Sequence, residues 1–225
     1  MRRLPDPMGD LAAPEPGAPP ALPPGWARQV RRYRLITPLV GGGVEKMTND
    51  PLTPVRGPAL RGQLRFWWRA TRGGRFGGDL GALRRREGEI WGAAGGAVQD
   101  AGGTRVLLAV ELVKQVRVGV AFALTLTYRS AERAELEAAL WAWECFGGVG
   151  ARTRRGCGAL ACTGVTEQEG AQPPIALVLP TPDNAELPEV RRWLRAQLQR
   201  HIPADSAGWP EGVAHLERGQ PIGLR

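Results

Sequence analysis

Arg56–Arg72 reads RGPALRGQLRFWWRATR, and it carries two periodicities at once. Leu60, Leu64, Trp67 and Trp68 recur at the i, i+4, i+7, i+8 spacing of one apolar helical face. Arg61, Arg65, Arg69 and Arg72 form a second stripe of one sign beside it. Like charges one turn apart repel along a helix, so this row needs an acidic partner, most simply a phosphate backbone. The competing reading is an ordinary amphipathic helix with a solvated arginine face. A helix cannot cheaply release both tryptophans from its apolar face, so Trp67 is expected inside and Trp68 partly exposed.

The charge around this helix is local. Residues 26–75 hold eleven basic side chains against Glu45 and Asp50, a net +9 in a chain whose total is +8. The remainder is close to neutral, so the excess forms a patch suited to a polyanion. Only Lys46 and Lys114 are lysine; arginine favours bidentate phosphate contacts and stacking on bases. Three cysteines, Cys145, Cys157 and Cys162, form no CxxC pair. With His201 and His215 they build no zinc site at recognised spacings, so neither a metal nor another cofactor is expected. Their odd number argues against a disulfide framework and fits a reducing cytoplasm. No apolar run approaches a membrane span, and no hydrophobic segment follows the N-terminal arginines to make a secretory signal.

Outward from the helix, the period changes mark the other elements. Residues 1–25 hold eight prolines among Ala and Gly and are expected to be a disordered leader. A strand is expected over Val30–Leu39, with Val30, Arg32, Arg34 and Ile36 on one face and Tyr33, Leu35 and Thr37 on the other. Residues 79–100 suggest a shorter helical or irregular segment around Ile90–Trp91–Gly92. Strands follow at Thr104–Val113 and Val116–Tyr128. A second helix runs from Ser130 as N-cap to Gly147 as stop, with Leu136, Leu140 and Trp143 on its core face. A last strand is read near Ala159–Val165. Strand, helix, two strands, helix, strand is the order of an α+β, ferredoxin-like (RRM-like) βαββαβ domain, assigned to residues 26–167. Residues 168–225 form a C-terminal extension with an apolar run at Ile175–Leu179 and an amphipathic helix at Glu189–Arg200, with Pro188 in its first turn.

Gly147–Gly158 reads GGVGARTRRGCG. Gly147, Gly148, Gly150, Gly156 and Gly158 permit positive φ angles and close backbone approach, and Arg152, Arg154 and Arg155 add charge. The loop is a plausible phosphate cradle, though not a Walker A loop, since no Gly-Lys-Ser/Thr follows. The competing reading is a flexible connection between helix and strand.

Taken in order, RYRLITPLVGGG, RGPALRGQLRFWWRA, IWG and GGVGARTRRGCGAL resemble the repeat-associated mysterious protein (RAMP) superfamily, over about residues 30–162. Within it the chain looks most like the first RAMP subunit of the type III-B CRISPR (Cmr) effector complex. The resemblance implies a ferredoxin-like, non-catalytic RNA-binding subunit. Its implied partners are guide RNA, target RNA and other RAMP subunits. The helix motif falls on Arg56, Arg61, Arg65, Trp68 and Arg69, and the loop motif on Gly147, Gly148, Gly150, Arg152, Arg154, Arg155 and Gly158. Arg32 and Arg34 join them from the first strand, and Tyr33 or an exposed tryptophan is expected to stack a base. Arg61, Arg65 and Arg69 are expected to share one surface with the loop.

Two other readings stand beside this one. A transcript-processing endoribonuclease would need a general base and acid near the scissile 2′-hydroxyl, commonly histidine. No histidine precedes His201. A metal-dependent nuclease would need clustered carboxylates, and Asp79, Glu87 and Glu89 are read as solvating a loop. The last reading is a structural subunit whose basic face docks an acidic protein neighbour.

Overall fold

The first strand is a central one, and that fixes its end. A central strand uses N–H groups on both sides, so it must close before Pro38, which has none to offer. In a computed structural model, which describes residues 21–41, 48–50, 53–92, 105–114, 119–179, 185–204 and 208–219, β1 spans Trp26–Leu35. It starts earlier than Val30 because Ala27 already pairs with Tyr128 on one side and Glu169 on the other. Gln29, Arg31, Tyr33 and Leu35 are buried while Arg32 and Arg34 are exposed, the two-faced alternation expected. The expected leader falls almost wholly on residues outside those described.

Helix α1 spans Gly57–Arg72 with Pro58 in its first turn, where the missing N–H costs nothing. A 3-10 turn at Gly73–Phe76 leads to α2, Leu80–Trp91. Asp79 caps α2 by accepting from the Ala82 N–H at 2.9 Å. Strands β2 (Val106–Lys114) and β3 (Ala121–Arg129) follow. Ser130 does not cap the next helix, contrary to expectation. It opens a 3-10 turn, Ser130–Glu132, and its hydroxyl donates to Glu169 Oε1 at 3.0 Å. Helix α3 then runs Arg133–Phe146 and stops at Gly147, with Leu136, Leu140 and Trp143 fully buried. Strand β4 is Leu160–Glu169, and the apolar run that follows supplies β5, Ile175–Leu177.

The sheet order is β2-β3-β1-β4-β5, every pair antiparallel. Leu60, Leu64 and Trp68 of α1 and Leu136, Leu140 and Trp143 of α3 close over Tyr33, Phe122, Leu124, Leu126 and Tyr128 of the sheet. The opposite face is built of small side chains around the β1 arginines. Arg32 lies between Ala123 and Gly164, and Arg34 between Ala121 and Ala161.

Helix α4 (Leu187–His201) forms a second apolar cluster with α3, joining Leu194, Leu198 and Ile202 to Trp141 and Ala142. Arg72 fastens its end, donating to the carbonyls of His201 (2.8 Å) and Ala134 (2.6 Å). Downstream, the Leu216 N–H donates to the Ala70 carbonyl at 2.9 Å, so the C-terminal segment lies along α1. No helix among the described residues is long and apolar enough to cross a membrane.

Candidate nucleic-acid interface

The fold divides the arginines into two populations. The first is consumed internally. Arg31, counted in the sequence only as part of the basic patch, has the parity of Tyr33 and points under the sheet. Its guanidinium donates to Gln29 Oε1 (2.7 Å), Glu137 Oε2 (2.6 Å) and Glu144 Oε1 (2.9 Å). Tyr33 donates to the same Glu144 oxygen at 2.6 Å and is 1% exposed, so it cannot stack a base. Burial and then Glu144 raise its pKa well above the ordinary phenol, which keeps it a neutral donor.

The arginine stripe of α1 is partly consumed as well. Arg65 Nε and Arg69 Nη1 reach one oxygen of Glu87 on α2, at 2.6 and 2.5 Å. Glu87 is therefore a buried bridge rather than a residue solvating a loop. Two guanidinium groups against one carboxylate leave a net +1, and both remain about one-third exposed. Arg72 leaves the stripe altogether and is buried. Arg56 pairs with Asp50 at 3.2 Å from an exposed position. Trp68 is 0% exposed, and its Nε1–H donates to Glu135 Oε2 at 2.7 Å, so it contacts no external ligand. Trp67 is the half-buried one, the reverse of expectation, because the apolar face of α1 is centred on Leu60, Leu64 and Trp68.

A second group, made of six expected site residues, has no acidic partner among the described residues. The side chains of Arg32, Arg34, Arg61, Arg152, Arg154 and Arg155 meet no hydrogen-bond or ion-pair partner among the described residues. Arg61 shows what that means for a half-buried cation. Burial, and next the Arg65 guanidinium, pull its pKa below the ordinary value, so an added anion would be stabilised there.

The glycine loop is held rigidly. Val149 N–H donates to the Gly158 carbonyl (2.9 Å), Gly158 N–H to Pro38 (2.9 Å) and Ala151 N–H to Val40 (2.7 Å). The loop is thus stitched to the chain leaving β1, beside the end of the strand that carries Arg34. Its glycines mostly answer to internal packing rather than to a ligand. A Cβ on Gly158 (φ +67°) would sit 1.8 Å from the Val149 carbonyl oxygen. One on Gly150 (φ +84°) would sit 2.8 Å from the Val40 oxygen, and one on Gly148 3.0 Å from the Gly158 oxygen. Only Gly156, at φ +81°, faces open space within this loop. Arg152, Arg154 and Arg155 project from the loop as exposed side chains, with Arg152 itself at φ 60°.

The structure does not gather all the expected residues into one cluster. Arg65 and Arg69 turn toward α2. The loop instead springs from α3, which meets α1 on the side of Trp67: a Cβ on Gly147 would lie 2.8 Å from Trp67 Nε1. At that junction the sequence reading missed two aromatic rings, Phe66 (39% exposed) and Phe146 (41%). They flank Trp67, at centroid distances of 5.1 and 6.1 Å. Their signal was their position off the apolar periodicity of each helix.

Both histidines have partners within the fold. His201 is buried, stacked on Trp141 with centroids 5.0 Å apart, and His215 pairs with Glu217 at 3.3 Å. Among the described residues no group of three or more His, Cys, Asp or Glu is arranged to hold a metal ion.

The family model of the RAMP superfamily matches residues 32–161, more than half of the 225 residues, and the chain belongs to that superfamily. The fold is similar to that of Cmr1 from Pyrococcus furiosus, whose apo crystal structure aligns with a TM-score of 0.54 at 19% identity. That alignment covers 79% of this chain and 59% of Cmr1. A cryo-EM structure of Type III-B Cmr-beta bound to cognate target RNA and AMPPnP, in the presence of ssDNA, aligns at 0.49 and 13% identity, over 80% of this chain and 65% of that one. Another, of Cmr-beta with cognate target RNA, aligns at 0.44 and 13%, over 77% and 61%. The chain thus spans less than two thirds of each of these neighbours. No curated protein matches the sequence.

Proposed function

We propose that this chain is a non-catalytic RNA-binding subunit of a type III-B, Cmr-type CRISPR effector complex, built on a ferredoxin-like domain. The observation that carries the RNA contact is that six of the expected site arginines, Arg32, Arg34, Arg61, Arg152, Arg154 and Arg155, meet no acidic partner among the described residues. Three of these stand on a rigid loop and two on the exposed face of the central strand, so little side-chain-bearing backbone has to be ordered when phosphates arrive. The strand order β2-β3-β1-β4 with two helices on one face supports the ferredoxin-like assignment. Membership of the RAMP superfamily and the fold likeness to Cmr1 support the placement in a Cmr-type complex with guide RNA, target RNA and other RAMP subunits as partners. The buried position of His201 supports a non-catalytic role, since its ring is closed to a substrate proton.

The test is incubation with end-labelled single-stranded RNA in chelator, read on native and denaturing gels. Bound and intact RNA is the expected result. Discrete metal-independent cleavage products would replace the proposal with a processing endoribonuclease. Absence of binding would point to the basic face as a docking surface for an acidic protein.

A further inference from the structure

We infer that Phe66 and Phe146 form a stacking platform for an unpaired RNA base at the root of the arginine loop; the inference rests on the RNA-binding reading above. Isolated exposed phenylalanines are ordinary on protein surfaces. These two belong to one continuous run of rings. Phe66 meets Trp67 edge-on at 87°, Trp67 meets Phe146 at 37°, and Phe146 is braced edge-on against Trp141 at 5.6 Å and 88°. Trp141 is buried in the second apolar cluster, so the run is anchored at its inner end and open at Phe66 and Phe146. The platform therefore offers aromatic edges and faces that are already held in place, which lowers the ordering cost of stacking.

Its position selects the occupant. Phe146 is the last residue of α3 and is followed directly by Gly147, the first residue of the loop that carries Arg152, Arg154 and Arg155. Gly147 lies against the Trp67 indole, so loop and platform share a boundary. Aromatic rings beside arginines without acidic partners are what a single-stranded nucleic acid uses: phosphates on the cations and a base on the ring. Among the described residues, the outer face of the sheet pairs no ring with Arg32 and Arg34, whose cross-strand neighbours are Ala121, Ala123, Ala161 and Gly164. Base contact is accordingly assigned to the α1–α3 junction, and the sheet face is left to phosphates.

The probe is a pair of fluorescein-labelled single-stranded oligoribonucleotides of equal length, one with all its bases and one abasic over the central nucleotides. Wild type should bind the complete strand about fivefold or more tightly than the abasic one, the ratio expected from one stacked base. Phe66→Leu/Phe146→Leu keeps apolar bulk and should lose that preference while binding the abasic strand as wild type does. Phe66→Tyr/Phe146→Tyr should retain it, which separates stacking from a loss of fold. Equal binding of both strands by wild type would overturn the platform and leave RNA binding intact. A preference that survives in the leucine variant would move the base contact elsewhere. Binding of neither strand would overturn the RNA reading and the platform with it.

Discussion

At the scale of single residues, His201 shows how burial turns a polar side chain into a structural one. Its ring stacks on Trp141, and its Nε2 lies 3.0 Å from Gln197 Oε1. Burial first, then Arg72 and Arg200, lower its pKa from 6.5 to about 4. The unfolded chain therefore binds a proton between pH 6.5 and 4 that the folded chain refuses, and stability falls as pH drops through that window. At pH 5 the loss relative to pH 7.5 is about 2 kcal/mol for this group. Urea unfolding at the two pH values should show that loss diminished by about that amount in His201→Phe, whose ring can still stack; an unchanged pH dependence would contradict the assignment. Trp68 makes the complementary point. Sequence places Trp67 and Trp68 side by side on one helix, and its ranking of Trp67 as the inner one is reversed in the fold. The observed ranking comes from α3, where Glu135 receives the Trp68 N–H and Phe146 leaves Trp67 half covered.

At the scale of elements, the loop after α3 is hydrogen-bonded to the chain leaving β1 on its way into β4. Gly158→Ala would drive a Cβ into the Val149 carbonyl at a positive φ, combining a backbone clash with a left-handed penalty. Gly156→Ala meets open space and pays only the left-handed term, about 1–2 kcal/mol. Chemical denaturation should therefore find Gly158→Ala clearly the more destabilised of the two, and equal losses would contradict the packing account. What the sequence allowed at this scale depended on range. The alternation that buries Tyr33 and exposes Arg32 and Arg34 is local and legible, as is the core face of α3 on Leu136, Leu140 and Trp143. The partner of the α1 stripe is not, because Glu87 is brought to Arg65 and Arg69 by the turn between α1 and α2. Nor can a glycine-rich stretch say whether its own chain or a ligand fills the space beside each Cα. Here Val149, Val40 and Gly158 fill most of it.

At the scale of the whole molecule, the count of 30 lysines and arginines overstates the cations open to a ligand. Much of the arginine content neutralises carboxylates inside the fold: Arg31 with Glu137 and Glu144, Arg86 and Arg105 with Glu132, Arg75 with Glu135. Among the described residues, cations without an acidic partner stand on the outer face of β1, the flank of α1 and the loop, and also on α2 (Arg84) and α4 (Arg192 and Arg195). The central claim is this division of labour. It is tested most directly by the salt dependence of single-stranded RNA affinity in two matched double variants, Arg154→Gln/Arg155→Gln and Arg86→Gln/Arg105→Gln. Each phosphate contact on a single strand contributes about 0.7 to the slope of log K against log salt. The loop variant should lose up to about 1.4 of slope with its thermal midpoint unchanged. The internal variant should keep the wild-type slope and melt earlier, since Glu132 is left buried beside no cation. Equal loss of slope in both variants would contradict the account, because it would show that the paired arginines bind RNA as the unpaired ones do.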